Sequence, residues 1–225
     1  NGIDTQGIAR AAIRGISRGK LTEGASTLTQ QLLKNNVFEG WTSESQEQKL
    51  KRKLQEQYLA VQLEKHVSKD WIMENYLNTI NLGQNTLGVQ AASRRYFGKD
   101  VSELNLSECA VLAAITKNPG KYNPITNPEA NQKRRENVLG DMEEQGYITH
   151  EQYEAAVQDD VYSRIQQNNQ SYQNSGRYIM TYFVDELTQQ VISDLQKELG
   201  YSEQQAYKAV YSGGLTIYST QDPHI

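Results

Sequence analysis

Helix-entry signals recur along this chain, each leading into a run of helical periodicity, and together they leave little of it for a sheet. Thr27-Leu28-Thr29-Gln30 and Thr149-His150-Glu151-Gln152 are capping boxes, in which a hydroxyl and an amide side chain each satisfy a backbone N–H of the other residue. They predict helices to about Lys34 and about Val157. Ser68 is placed to cap Lys69–Leu77, and Ser107 to cap the apolar run Glu108–Thr116, which stops before Asn118-Pro119. Pro128 suits the first turn of a helix reaching Gln145-Gly146. A long helix runs from about Glu44 to His66, with Leu50, Leu54, Tyr58 and Val61 on one stripe and Leu59 and Leu63 beside it, the pattern of a core-facing side. Asp4–Arg18 is a further amphipathic candidate, with Arg10, Arg14 and Arg18 on one stripe, and Thr86–Phe97 is another helix, ended by Gly98.

The last third changes character. Asp159–Gly176 is polar and poor in aliphatics, which reads as a linker or an exposed excursion. Periodicity returns over Arg177–Leu199 and Glu203–Val210, and the alternation of Leu215–Thr220 reads as a strand in need of a partner.

Composition excludes several classes. Mean hydropathy is −0.73. The longest apolar stretches, such as Ala110–Ile115, fall far short of the ~20 residues of a membrane span. The single cysteine, Cys109, excludes an internal disulfide framework and a Cys-rich zinc site, and its apolar helix marks it as a packing residue. His66, His150 and His224 are too scattered to form a metal motif. The net charge of −4 conceals a basic front: residues 1–53 hold nine Lys+Arg against five Asp+Glu. Such a front suits an anionic partner, and charge alone does not choose among phosphate, lipid and nucleic acid.

Three clusters carry chemistry. In Gly24–Asn35, small residues and hydroxyls open a helix, and Thr27, Gln31 and Lys34 share a face, so that a hydroxyl, an amide and a cation point the same way. In Lys49–Glu56, helical spacing sets the Glu56 carboxylate beside both Arg52 and Lys53, where it can orient a phosphate held by the cations or hold a divalent metal. In Thr116–Pro124, Lys117 follows an apolar helix just before a Pro/Gly loop, as a helix-dipole partner or a ligand cation. An ordinary capped helix, a surface ion pair and a dipole partner are the plain alternatives.

Taken in order, these stretches resemble the peptidoglycan glycosyltransferase domain of class A penicillin-binding proteins and its monofunctional relatives. Gly24–Asn35 is similar to that family's second motif, Arg52-Lys53-Leu54-Gln55-Glu56 to its third and Lys69–Asn78 to its fourth. Gly88–Ala92, Tyr96–Lys99 and Lys117 through Asn123-Pro124 also follow the family, and the likeness spans about residues 1–157. Gly213–Pro223 is similar to the bridge into a penicillin-binding transpeptidase domain, which makes 158–225 a linker region leading toward such a domain. The family's first motif carries the Glu assigned as general base. Only its end is matched here, by Asn1-Gly2-Ile3-Asp4, so that Glu is expected upstream of residue 1.

The resemblance implies a mainly α fold: a lysozyme-like lobe, a small membrane-proximal lobe around Asn35–Ser45, then a helical linker and a short strand. It implies polymerisation of glycan strands. The 4-hydroxyl of lipid II would attack the growing chain, undecaprenyl pyrophosphate would leave, and inversion would give a β-1,4 bond, only slowly where the base is missing. Lys34, Arg52, Lys53 and Lys117 would lie near phosphates or sugars, with Ser26, Thr27 and Gln31 as hydrogen-bonding neighbours. Glu56 would be the second catalytic glutamate, orienting these cations or a divalent ion (Mg or Mn) at the pyrophosphate. Val37, Phe38 and Trp41 would touch the outer leaflet of a bacterial membrane, on the extracytoplasmic face, while the chain itself would be soluble. Moenomycin would inhibit, and nucleic acid would play no part. Two rivals stand beside this: a glycan-cleaving enzyme of lysozyme or lytic-transglycosylase type, and a non-catalytic helical module that binds lipid phosphate.

Overall fold

The structure is a computed structural model and describes residues 2–7, 9–10, 25–38, 44–174, 182–212 and 215–219. It divides into two units, Asn1–Ile80 and Asn81–Ile225.

In the first unit, α1 (Leu28–Val37) packs against both α2 (Gln46–His66) and α3 (Lys69–Thr79). The predicted caps form. Thr27 and Gln30 close their box at the start of α1, and Ser68 accepts from the Trp71 N–H at the start of α3. Leu32 and Leu33 of α1, Ala60 of α2 and Ile72 and Tyr76 of α3 are buried. The face that α2 turns inward is not the one its apolar pattern predicts. Its buried residues are Arg52, Glu56 and Ala60. Leu50, Leu54 and Tyr58 are 64%, 61% and 66% exposed. Residues 5–7 and 9–10 are helical, and the rest of the predicted helix Asp4–Arg18 lies outside the described residues.

In the second unit, α4 (Val89–Phe97) starts three residues later than predicted, because residues 81–87 turn back on themselves through the Asn81–Leu87 bridge. Gly98 ends α4 in the left-handed region, at φ 72°. The cap of α5 (Leu106–Ile115) is Asn105, which closes a box with Glu108. Ser107 therefore lies inside the helix, and its hydroxyl accepts from buried Arg135 at 3.0 Å. Around α5 pack α6 (Pro128–Glu144), with Pro128 in its first turn as expected, and α7 (His150–Gln158). Ala110, Leu139 and Ala156 form their shared core. Cys109 faces outward and is exposed, so it is not a packing residue.

The segment read as a linker is instead a docked helix, α8 (Val161–Asn174). Its two aliphatic side chains, Val161 and Ile165, are fully buried against Val111. Its polar residues bind α4: Asn168 donates to the Arg95 carbonyl at 3.0 Å and Asn169 accepts from the Arg95 guanidinium at 2.8 Å. Two further helices pack together, α9 (Tyr182–Leu199) and α10 (Glu203–Ser212). Leu215–Ser219 belongs to no sheet, and among the described residues there is no strand. The predicted strand does not form. The mainly α expectation holds.

Candidate functional site: a cation cluster on a buried glutamate

The helices α1 and α2 bring their charged positions to one place within the first unit. Glu56, fully buried, anchors the group. One of its oxygens accepts from Arg52, one turn earlier on α2. The other accepts from the Lys53 ammonium at 2.7 Å. That ammonium also donates to the Ser26 hydroxyl at 3.1 Å, which ties α2 to the residue ahead of the α1 cap. Arg52 is 6% exposed and reaches a second carboxylate: its Nε donates to both oxygens of Glu44, at 2.7 and 2.9 Å.

Lys34, in the last turn of α1, completes the set. Burial pushes its ammonium below the ordinary lysine pKa, and the positive charges of Lys53 and then Arg52 push the same way, partly offset by Glu56. Among the described residues, Lys34, Arg52 and Lys53 thus gather about the carboxylates of Glu44 and Glu56, and Lys34 is held where protonation is disfavoured. An anion brought to this spot offsets the like-charge repulsion and favours the charged form of Lys34. Fixed cations whose mutual repulsion is already built into the fold are what anion recognition requires.

The two neutral candidates on α1 are occupied by the fold. The Thr27 hydroxyl accepts from the Gln30 N–H at 3.2 Å and donates to the Gly2 carbonyl at 2.8 Å. The Gln31 amide oxygen accepts, at a long 3.5 Å, from the Tyr76 hydroxyl on α3. Val37 is 56% exposed at the end of α1 and Phe38 is the half-buried residue after it, while Trp41 lies outside the described residues. Lys117 is exposed beyond the end of α5 in the second unit, and its assignment rests on the resemblance alone.

Glu44 is the member that sequence reasoning missed. It lies eight residues before Arg52, ahead of the Ser45 cap, where no helical spacing rule pairs the two. A divalent ion does not suit Glu56: both oxygens already serve cations inside a protein-filled space. Among the described residues no group of three or more His, Cys, Asp or Glu side chains is placed to hold a metal. No helix among them is long and apolar enough to cross a membrane.

Comparison with known proteins gives the family. Residues 1–143 match the family described as Transglycosylase. The chain is 39% identical over 215 residues to a protein named Penicillin-binding protein 1A from Clostridium botulinum (strain Langeland), covering 93% of this chain and 25% of that protein. It is 41% identical to Penicillin-binding protein 1A from Aquifex aeolicus, covering 98% of this chain and 27% of that protein. A crystal structure of Penicillin-Binding Protein 1A from Haemophilus influenzae shares 42% identity over 43% of this chain and 14% of its own, at a TM-score of 0.40. The chain thus spans about a quarter of the length of these curated relatives. It belongs to the transglycosylase family, the peptidoglycan glycosyltransferase domain of class A penicillin-binding proteins.

Proposed function

We propose that the cluster of Lys34, Arg52 and Lys53 holds the diphosphate of an undecaprenyl-linked glycan donor while lipid II extends the chain. One observation carries this reading: Arg52 and Lys53 each pair with one oxygen of a single fully buried carboxylate, and Lys34 of the neighbouring helix lies close enough to feel all three charges.

The chemistry has two halves. The lipid II 4-hydroxyl attacks the anomeric carbon of the donor sugar from the face opposite the diphosphate, the C–O bond to undecaprenyl diphosphate breaks, and inversion gives a β-1,4 bond. Negative charge builds on the leaving diphosphate, and cations fixed beforehand stabilise it without reorganising. Glu56 serves by holding Arg52 and Lys53 in position. The attacking hydroxyl must also lose a proton to a base. Glu44 and Glu56 are both ion-paired to Arg52, so neither is placed to accept it. A carboxylate outside the described residues takes that role in this reading. A divalent cation, Mg or Mn, would add positive charge at the diphosphate, beside the cations that Glu56 holds. Val37, Phe38 and Trp41 contact the outer leaflet of the bacterial membrane, where the polyprenyl tail lies. Moenomycin, itself a phosphoglycolipid, competes for the same cations. The whole protein of which this domain is a part adds a transpeptidase.

The experiment is lipid II polymerisation by the full-length protein. Lys34→Ala and Arg52→Ala should each lower turnover roughly a hundredfold, the usual scale for losing a group that stabilises transition-state charge. Unchanged turnover in both would remove the reading. Liposome partitioning of the Phe38→Ser, Trp41→Ser double variant tests the membrane contact, and unchanged partitioning would overturn it.

A further inference from the structure

We infer that Glu44 is an internal competitor for the anion at Arg52, lowering the affinity of the site by occupying the guanidinium edge that a diphosphate would take; this rests on the reading of the cluster as a diphosphate site. The two carboxylates on Arg52 are not equivalent. Glu56 is fixed on α2 one turn from Arg52, is fully buried, and is held by Lys53 as well. Its place is set by the helix. Glu44 lies ahead of the α2 cap, outside the helical repeat, and its side chain is 13% exposed where that of Glu56 is 0% exposed.

Glu44 also presents its charge as a phosphate would. Both oxygens face the Arg52 Nε, at 2.7 and 2.9 Å, within the range of charge-assisted contacts. The Arg52 hydrogen bond, its largest influence, holds the Glu44 carboxyl below the usual carboxylate range, so it is an anion throughout the neutral range. With Glu44 in place, Arg52 donates to two protein carboxylates. With Glu44 swung away, the Arg52 Nε would lose its carboxylate, and an incoming diphosphate would supply the missing negative charge. Ligand binding at Arg52 is therefore an exchange of one anion for another. The free energy of the Glu44 contact is subtracted from the affinity of the site.

The test is calorimetric binding of inorganic pyrophosphate to residues 1–225 at fixed pH and ionic strength. Glu44→Gln should tighten binding roughly five- to tenfold, the return expected when a competing charged hydrogen bond is removed. Glu44→Asp, one methylene shorter, should tighten it less. The same Glu44→Gln change made on Arg52→Lys, which keeps a cation for Glu56 but loses the planar edge, should have little effect. Glu47→Gln, an exposed carboxylate in the first turn of α2, is the control for general charge. If Glu47→Gln tightens binding as much as Glu44→Gln, or if Glu44→Gln leaves it unchanged while Lys34→Gln weakens it, the competitor role is overturned and the diphosphate site stands. If Lys34→Gln and Arg52→Lys both leave pyrophosphate affinity unaltered, the site itself is overturned.

Discussion

The Thr27 hydroxyl donates to the carbonyl of Gly2 at 2.8 Å, joining the start of α1 to a segment 25 residues earlier in the chain. Gly2 lies flush against α2: a Cβ there would come within 2.7 Å of the Ala60 carbonyl carbon and oxygen, in a backbone with φ +71°. Ala60 is one turn along α2 from Glu56, so this packing braces the face that carries the cation cluster. The contact gives the Thr27 hydroxyl a part in the fold. Its hydroxyl hydrogen goes to Gly2, and its oxygen also caps α1.

Thr27→Val should therefore lower stability by about 1–2 kcal/mol, through loss of the cap and the Gly2 bond together. It should leave pyrophosphate affinity within about twofold, since no charge is removed from the cluster. Thr27→Ser should restore most of the stability. Chemical denaturation and calorimetry of the same samples check both halves, and a large loss of affinity with little loss of stability would return Thr27 to the ligand.

Glu56→Gln separates the anchor from the charge. The amide oxygen can still accept from one of the two cations, but its NH2 group then faces the other, so a buried ionic contact becomes a mismatch. A cost of roughly 1–3 kcal/mol follows in a domain that remains folded. Because Arg52 and Lys53 would no longer be held together, polymerisation by the full-length protein should fall far more than melting temperature does. Equal losses in the two, with turnover recovering on cooling, would make Glu56 purely structural.

Sequence and structure diverge most on α2, and the reason is physical. Leu50, Leu54 and Tyr58 recur at helical spacing, and an apolar stripe ordinarily faces a core. The structure turns the stripe outward because the other face carries Arg52 and Glu56, which pair with each other, and Lys53, which reaches Ser26, while Gly2 lies against the Ala60 backbone. Caps were legible because each depends on residues three apart, as at Thr27, Ser68 and Thr149. Ser107 was misread because Asn105 and Glu108 make a complete box two residues earlier. The docking of α8 was not legible, since two aliphatics and a few asparagines carry it, below what composition can signal. The ion pairs within α2 follow from spacing alone, whereas Glu44 and Gly2 reach the site only through tertiary folding.

This orientation of α2 is open to a direct check. Leu54→Ser should change stability by less than about 0.5 kcal/mol, as exposed positions do. Ala60→Val should cost about 1–3 kcal/mol, because Ala60 is fully buried and added methyl groups overpack its site. The conventional orientation, with the leucine stripe buried, demands the reverse order. Thermal or denaturant unfolding of the two variants decides between them.

Lys34 gives the cluster a pH signature, and its sign is fixed by the direction of the shift. Burial, Lys53 and Arg52 lower the folded-state pKa of Lys34 below the unfolded value, so at neutral pH the protonated ammonium counts against folding. That penalty begins to shrink as pH rises past the folded-state pKa and is gone above the unfolded one. Lys34→Met should accordingly raise stability at neutral pH while weakening anion binding, an instance of function held at a cost to stability. Binding runs the other way: an anion favours the protonated form, so affinity should fall as pH rises and Lys34 loses its proton, earlier than an ordinary lysine would. ADP-glucose is a suitable probe, because the charge of its disubstituted diphosphate does not change over that range. Titrations at increasing pH should show the decline in the parent sequence and its absence in Lys34→Arg, whose guanidinium stays charged. A decline of the same size in Lys34→Arg would place the titrating group elsewhere.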